Sequence, residues 1–337
     1  MTMALSIATL NVNGLNDSLK QICLVNILLY HKLDVVLLQE HNIKEIRTLE
    51  YITKYFDIVL NTSTLLKGGT CILISKTKKI EIKNQEMDAE GEIIGIQIKY
   101  CDNIIPIINV YAPSGTNKHK EREDFFRDKI LYYLRHNHEN LIIGGDFNSV
   151  TSMKDCTNEN YKSLVSKGLK ELTNKLKLKD IMKDKIGAVE YTYIRNNYGS
   201  RIDKIFVKSL HQNISKCQTI PLSFSDHTMV KCTIKIKDLE RGRGIWKLNT
   251  NILGNVEVQE NFNKLWHNLI NKKNNYENPL LWWINCVKPE CKQFFIRAGK
   301  RISSQRYGLI KLLKERLRQL YNIGLTGSNK YEERKKQ

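Results

Sequence analysis

The chain is 337 residues long and carries 54 lysines and arginines against 35 aspartates and glutamates, a net charge of +19, with 41% hydrophobic residues. It is long enough for one large domain with an appendage, or for two modest domains, and can bury a substantial core. The basic excess points to a polyanion, nucleic acid or an acidic membrane face, as partner. Eight cysteines at 23, 71, 101, 156, 217, 232, 286 and 291 include no Cys-x-x-Cys pair, which argues against zinc and for reduced, intracellular thiols.

The opening MTMALSIATLNVNGLN has no basic leading region, and Asn11 and Asn13 cut the apolar run too short for a secretory signal or membrane span. Residues 5–10 read instead as a strand that ends in the loop signature Asn-Val-Asn-Gly. Apolar runs bounded by polar or glycine turns follow in order: DVVLLQE, DIVLN, TCILIS, IIGIQIKY, NIIPIINVYAP, NLIIGGDFN, IDKIFV and MVKCTIKIK. Three- and four-residue apolar spacing predicts helices over 18–31, 119–138 and 161–178. Strands interleaved with helices make a layered α/β fold. No GxGxxG follows the first strand, so a dinucleotide-binding fold is disfavoured.

Composition changes near residue 238. Residues 239–337 hold 20 basic and 8 acidic residues, a net +12, so this stretch is the more basic part. It opens with RGRG, contains the aromatic segments LWWIN and CKQFFI, and continues as a helix through ISSQRYGLIKLLKERLRQLY with Leu309, Leu313, Leu317 and Leu320 on one stripe. The expected organisation is a strand-rich domain over 1–238 and a basic, mainly helical region over 239–337.

Ligands in layered α/β folds gather where strands end. The ends here are polar: Asn11, Glu40, Tyr111, Asp146 with Asn148, Asp203, and the adjacent pair Asp226-His227 before the last strand. Each alone has a structural explanation, a turn or an ion pair; together they make a candidate site. Oxygen ligands without cysteine or clustered histidine suit magnesium, with manganese as a substitute.

The set TLNVNGL, LLQE, INVYAPSG, IIGGDFN, YTY, RIDKIFV and SDH resembles, in order and spacing over residues 4–237, the endonuclease/exonuclease/phosphatase superfamily. Within it the chain is similar to the apurinic-type endonuclease domain of the second open-reading-frame protein of LINE-type non-LTR retrotransposons. WKLNTNIL and the basic helix resemble the connecting region that leads to the reverse transcriptase there. The sequence departs from the family wording at His41-Asn42, where a Thr-His or similar pair is usual, and has no Tyr-x-Asp-Asp polymerase signature.

The resemblance implies a four-layered α/β sandwich, two packed mixed sheets flanked by helices, with magnesium at one end. It implies that Glu40 binds the metal assisted by Asn11, that Asp146 orients or deprotonates the water, and that Asn148 positions water and phosphate. His227 donates to a nonbridging phosphate oxygen with Asp226 accepting its other ring proton, and Asp203 completes the acidic site. Tyr111 contacts the phosphate or leaving group, and Thr192 bonds the phosphate or a neighbouring side chain. The segment IRNNYGSR is expected as a hairpin whose Arg195 and Arg201 sense minor-groove width. The implied function is magnesium-dependent nicking of one DNA strand to prime reverse transcription of the element's RNA. Rivals are a repair-type apurinic endonuclease, a superfamily phosphodiesterase acting on lipid or RNA, and a non-catalytic nucleic-acid-binding module. DNA is the expected partner, with element RNA as a candidate ligand of the basic region, a reverse transcriptase domain in a longer polyprotein, no membrane, and a nuclear or cytoplasmic location.

Overall fold

The computed structural model describes residues 2–64, 67–134, 139–157, 165–183, 191–195, 198–210, 213–238 and 246–335. The chain divides into two compact units, Met1–Glu240 and Arg241–Gln337. RGRG and the centre of the IRNNYGSR hairpin lie outside the described residues, as do the side chains of Leu317 and Leu320.

Two six-stranded sheets make up the first unit. One is ordered β13-β14-β1-β2-β4-β3, from β1 (Thr2–Asn11), β2 (Val35–Gln39), β3 (Phe56–Asn61), β4 (Thr70–Ser75), β13 (Ile214–Ile220) and β14 (Met229–Asp238). The other is ordered β5-β6-β7-β8-β12-β9, from β5 (Glu81–Met87), β6 (Ile93–Tyr100), β7 (Asn103–Tyr111), β8 (Ile142–Asp146), β9 (Lys179–Asp180) and β12 (Asp203–Val207). A short ribbon pairs β10 (Tyr193–Arg195) with β11 (Tyr198–Ser200). Both large sheets are mixed, with β1–β2 and β7–β8 parallel.

Alternation of side chains across each strand builds the layers. Leu5 and Ile7 of β1, Val35 and Leu37 of β2, Ile105 and Ile107 of β7, Ile142 of β8, and Ile205 and Val207 of β12 share the core between the sheets. The intervening Ala8, Leu10, Val36 and Leu38 pack outward with Leu24, Val25 and Leu28 of α1 (Ser18–Tyr30) and Ile52 of α2 (Glu50–Thr53). On the other side, Ile108, Val110, Ile143 and Phe206 pack with Phe125, Phe126, Ile130, Leu169 and Leu172. Those come from a π-helical stretch at Phe125–Lys129 that follows α3 (His119–Asp124), from α4 (Ile130–Tyr133) and from α5 (Lys167–Lys175). The result is a four-layered α/β/β/α sandwich whose central strands are apolar on both faces, which is why they read as continuous hydrophobic runs.

The second unit is helical over its described residues: α6 (Val256–Asn271), α7 (Pro279–Trp282) and the long α8 (Lys288–Lys335). Asn255 and Asn278 cap α6 and α7, the latter with Pro279 in the first turn. The Phe262 ring centroid lies 5.0 Å from that of Phe295 and 5.7 Å from that of Phe294, and Trp266 6.3 Å from Trp282, so half-buried aromatic contacts surround a small core of Val258, Leu269, Cys286, Val287 and Ala298. Among the described residues no helix is long and apolar enough to cross a membrane.

The double glycine of IIGGDFN has a steric reason. Gly145 sits at φ +153, and a Cβ there would collide with the backbone carbonyl of Val110 on β7; at Gly144 it would meet Leu37 Cδ1 of the facing sheet at 2.6 Å. Only glycine lets β8 lie this close to both neighbours. Gly145→Ala should lower unfolding free energy by about 2–4 kcal/mol from backbone strain and overlap. A urea midpoint unchanged from wild type would show that the strands separate freely.

Candidate active site

The alternation that carries the inter-sheet core ends in a polar row. Counting by twos from core residues, Ile7 leads to Asn11, Ile107 to Tyr111, Ile142 to Asp146, and Ile205 back to Asp203, so all four side chains belong to the inter-sheet face. Register aligns them: Tyr111 pairs with Asp146 across β7–β8, Asp146 with Asp203 across β8–β12, and Asn11 with Gln39 across β1–β2. Glu40 follows β2 directly. It adopts φ +51, and Asn13, Asn42 and Asn148 nearby are also left-handed, at +49, +56 and +44. That conformation disfavours a glutamate by about 1–2 kcal/mol. It is held here by Gly14 N–H donating to Glu40 O at 2.7 Å and Leu15 N–H to His41 O at 2.9 Å.

Two interlocked sets of side chains result. In one, the Asn11 amide donates to Glu40 Oε1 at 2.8 Å and to Asp146 Oδ2 at 3.0 Å, and the Tyr111 hydroxyl donates to Glu40 Oε1 at 2.8 Å. In the other, His227 Nδ1 lies 2.9 Å and 3.1 Å from the two Asp203 oxygens, while Nε2 lies 3.9 Å from Asp146 Oδ2. Thr192 Oγ1 accepts from the Asp203 backbone N–H at 3.0 Å. Tyr193 covers the imidazole with ring centroids 4.8 Å apart. Asn148 N–H donates to Asp146 Oδ1 at 2.9 Å, and its amide to Ala112 O at 2.9 Å.

Burial alone would lower the His227 pKa, but Asp203 first, then Asp146 and Asp226, outweigh it and push it up to about 10, so the ring is an imidazolium at neutral pH. Burial and the Asp203 charge push Asp146 up to about 7, against the opposing pull of His227 and Asn11. Burial and the Glu40 charge raise Tyr111, which stays a neutral phenol. The site therefore pairs a fixed cation with a carboxylate poised to take a proton.

The Endonuclease/Exonuclease/phosphatase family matches residues 8–227, a span that contains every member of both sets. The chain belongs to this family. Its members are hydrolases of phosphate esters, and the chain is such a hydrolase. It is 26% identical over 319 residues to the Transposon TX1 uncharacterized 149 kDa protein of Xenopus laevis, covering 92% of this chain and 24% of that one. The chain thus spans about a quarter of that relative's length. Among solved structures, the AP endonuclease LMAP of Leishmania major superposes with a TM-score of 0.60 at 17% identity, over 69% of this chain and 88% of that one. An AP endonuclease of Archaeoglobus fulgidus gives 0.58 at 17% identity, over 69% and 100%. They share the four-layer fold.

Several expectations change in this family site. Asp226 is exposed, and its carboxylate accepts from Asn13 Nδ2 at 3.3 Å rather than from the histidine ring; Asp203 is the ring's partner. Two residues adjacent on a strand edge point apart, so His227 reaches across to β12 and Asp226 does not follow. Arg201 is not available to a groove. It is 4% exposed and bridges Asp155 and Asp180 at 2.8 Å and 2.7 Å, beside fully buried Lys204, which lies 3.0 Å from Asp155. Arg195, on β10, is exposed. His41 is buried, accepting from Ile43 N–H through Nδ1 and facing Asn61 O through Nε2, while Asn42 Oδ1 accepts from Gly68 N–H, so this pair fastens the loop after Glu40.

The donor chemistry fits a hard divalent cation. Glu40 and Asp146 bring carboxylate oxygens to the same Asn11 amide, an accumulation of negative charge that oxygen-seeking ions relieve. Asn11 turns its NH2 to these carboxylates and its oxygen to Asn13 N–H at 3.1 Å, so it fits the role of orienting the ligands. Asp146, Asp203 and His227 also place potential ligand atoms within 4.8 Å of one another, but Nδ1 is engaged by Asp203. Ser225, part of the SDH motif but given no role by the sequence, donates its hydroxyl to Asn11 O at 2.8 Å and accepts from His227 N–H at 3.1 Å, tying the two loops together.

The Asp203–His227 pair is buried and Asp226 is not, so the two aspartates should differ sharply when neutralised. Asp203→Asn should lower kcat by about 100-fold or more, the scale of a lost acid–base partner, and Asp226→Asn by less than about tenfold. Steady-state rates of both variants check this; a larger loss at Asp226 would make it the partner in the working enzyme.

Proposed function

We propose that the chain is a magnesium-dependent DNA endonuclease that nicks one strand of a target duplex and leaves a 3′-hydroxyl to prime reverse transcription of a LINE-type element's RNA. The observation that carries this reading is the His227–Asp203 pair facing Asp146, with the Glu40–Tyr111 pair beside it at the strand ends. The net charge of +19 and the likeness to a transposon protein over 92% of the chain direct it to DNA and to an element.

In this reading Glu40 would hold the cation, with Asn11 fixing its carboxylate and that of Asp146. When bound, the cation supplies Lewis-acid withdrawal of charge from the phosphate oxygens. Asp146 takes a proton from the attacking water, and Asn148, anchored on Ala112 O, orients that water and the phosphate. His227 donates from Nε2 to a nonbridging oxygen as negative charge builds there, and Asp203 keeps the ring aimed. The water oxygen bonds to phosphorus, the P–O3′ bond breaks, and O3′ leaves beside the Tyr111 hydroxyl, taking a proton from solvent water to become the 3′-hydroxyl while Asp146 returns its proton to solvent. Thr192 holds Asp203 from the backbone. Arg195, exposed on the β10–β11 ribbon, reads minor-groove width.

Purified protein with magnesium should convert supercoiled plasmid to open circles, prefer T-rich/A-rich junctions, and do neither in EDTA. The AP endonucleases that share the fold supply the competing substrate, a duplex with one abasic site. Cleavage there about 100-fold faster than on intact DNA would move the assignment to repair. Faster phosphate release from phosphoinositides than nicking of DNA would remove it from nucleic acid.

The basic region over 239–337, with +12 of the +19, adds nucleic-acid affinity without chemistry, since every proposed site residue precedes 228. Each phosphate contact adds about 0.7–0.9 to the slope of log affinity against log salt. A 1–238 fragment should keep metal-dependent nicking and show a shallower slope than the full chain. Equal slopes would reduce these cations to a solvated helix face, and loss of nicking in a folded fragment would put part of the site beyond 238.

A further inference from the structure

Directly beneath the site, one step back along each strand, the inter-sheet core holds three polar side chains where its neighbours are isoleucine, valine and leucine. Thr9 of β1, Gln39 of β2 and Asn109 of β7 are all completely buried. Thr9 stands two residues before Asn11, Gln39 one before Glu40, and Asn109 two before Tyr111. Gln39 Nε2 donates to Asn109 Oδ1 at 2.6 Å and to Thr9 Oγ1 at 3.0 Å. Asn109 crosses from the second sheet to donate to two carbonyls of the first, Leu38 O on β2 at 2.8 Å and Cys71 O on β4 at 2.9 Å.

We propose that Thr9, Gln39 and Asn109 are positioning residues: a hydrogen-bonded pin that fixes the spacing of the sheets under Asn11, Glu40 and Tyr111, and with it the geometry in which Glu40 receives its cation. The inference rests on the metal-dependent reading above. Apolar contact between sheets is non-directional and tolerates sliding, whereas hydrogen bonds fix distance and angle. Burying three polar groups in a core costs stability unless each is satisfied, and here each is bonded to another or to backbone of the facing sheet. The pin sits where sliding would matter most, because the Tyr111–Glu40 bond of 2.8 Å runs from β7 to the end of β2 and the Asn11–Glu40 bond of 2.8 Å from β1 to the end of β2, the strands it joins. A displacement of about an ångström there is enough to impair chemistry that depends on alignment. None of the three touches the expected position of substrate or cation.

The test compares Thr9→Val, Thr9→Ser and Asn109→Leu in the full chain, reading Mn2+ affinity by electron paramagnetic resonance, kcat and KM for plasmid nicking, and the thermal midpoint. Below the midpoint of every variant, Thr9→Val and Asn109→Leu should weaken Mn2+ binding or lower kcat by about 10-fold or more, the scale seen when support of a metal ligand is removed. KM for DNA should stay put, and Thr9→Ser, which keeps the hydroxyl, should stay within about twofold of wild type. Wild-type Mn2+ affinity and kcat in folded Thr9→Val and Asn109→Leu, with only the midpoint lowered, would make the pin a packing feature and overturn the proposal. If Asn109→Leu does not fold, the Thr9 pair decides. A wild-type chain that binds Mn2+ and does not nick DNA sinks the proposed function and leaves the pin to be judged on Mn2+ affinity; one that binds no Mn2+ overturns both.

Discussion

Side chains two apart on a strand share a face, and the whole first unit is organised by that constraint. The face that brings Leu5, Ile7, Val35, Leu37, Ile107, Ile142 and Ile205 into one core also delivers Thr9, Gln39 and Asn109 to a polar layer and Asn11, Tyr111, Asp146 and Asp203 to the polar row at the strand ends. Core, pin and site are thus three successive levels of one stack. A one-residue slip in β8 would send Asp146 to the helix-facing side and bring Gly145 or Phe147 into its place. Gly145, whose conformation only glycine adopts easily, opposes such a slip by fixing how β8 lies on β7.

Chemistry requires the stack to end abruptly, and the backbone supplies the break. Glu40, Asn42, Asn13 and Asn148 each leave the extended conformation for the left-handed one just past a strand, which redirects the chain without lengthening the loop. Three of the four are asparagine, the residue that tolerates this region best after glycine. Glutamate has no such tolerance, so Glu40 is the position where local preference yields to the need for a carboxylate. The surrounding bonds from Gly14, Leu15, Ile43 and Gly68 hold a conformation that the residue itself disfavours.

Much of this was legible in the sequence because the buried strands are apolar on both faces: nine hydrophobic runs correspond to β1–β4, β6–β8, β12 and β14. The strands that escaped are of another kind. β5, EIKNQEM, is an edge strand exposed along nearly its whole length, and β13 and β9 are also sheet edges, where no core imposes a hydrophobic pattern. The helix expected over 119–138 begins where the spacing put it, but its regular part ends at Tyr133 after a π-helical turn that apolar spacing does not announce. Strand ends identified the residues of the site, yet not their partners. Asp226 adjoins His227 in sequence and Asp203 lies 24 residues away, and only the fold, which brings Nδ1 to 2.9 Å from Asp203, shows which one the ring meets. Arg201 and Arg195 looked equivalent on either side of a hairpin; burial separates them. Thr9, Gln39 and Asn109 lie within the motifs TLNVNGL, LLQE and INVYAPSG, but strand ends alone did not point to them; the alternation that puts Asn11 and Tyr111 on the inter-sheet face puts Thr9 and Asn109 there too.

Asp203 and Lys204 show how charge balance separates structure from function in this fold. They are adjacent on β12 and face opposite ways, Asp203 with the inter-sheet residues Ile205 and Val207, Lys204 with Phe206 on the helix side. Lys204 and Arg201 meet Asp155 and Asp180 in a buried set of two cations and two anions that needs nothing further. Removing one member would strand a buried charge at a cost of about 3–5 kcal/mol, so the set holds the start of β12 in place. On the other face, Asp203, Asp146 and Glu40 meet a single imidazolium, and the account does not close: burial and mutual repulsion drive Asp146 up to about 7. Buried negative charge in excess is unstable unless something positive arrives. A divalent cation answers that deficit and so prepares the site for an anionic phosphodiester, one residue away along β12 from a cluster that arginine and lysine have already neutralised.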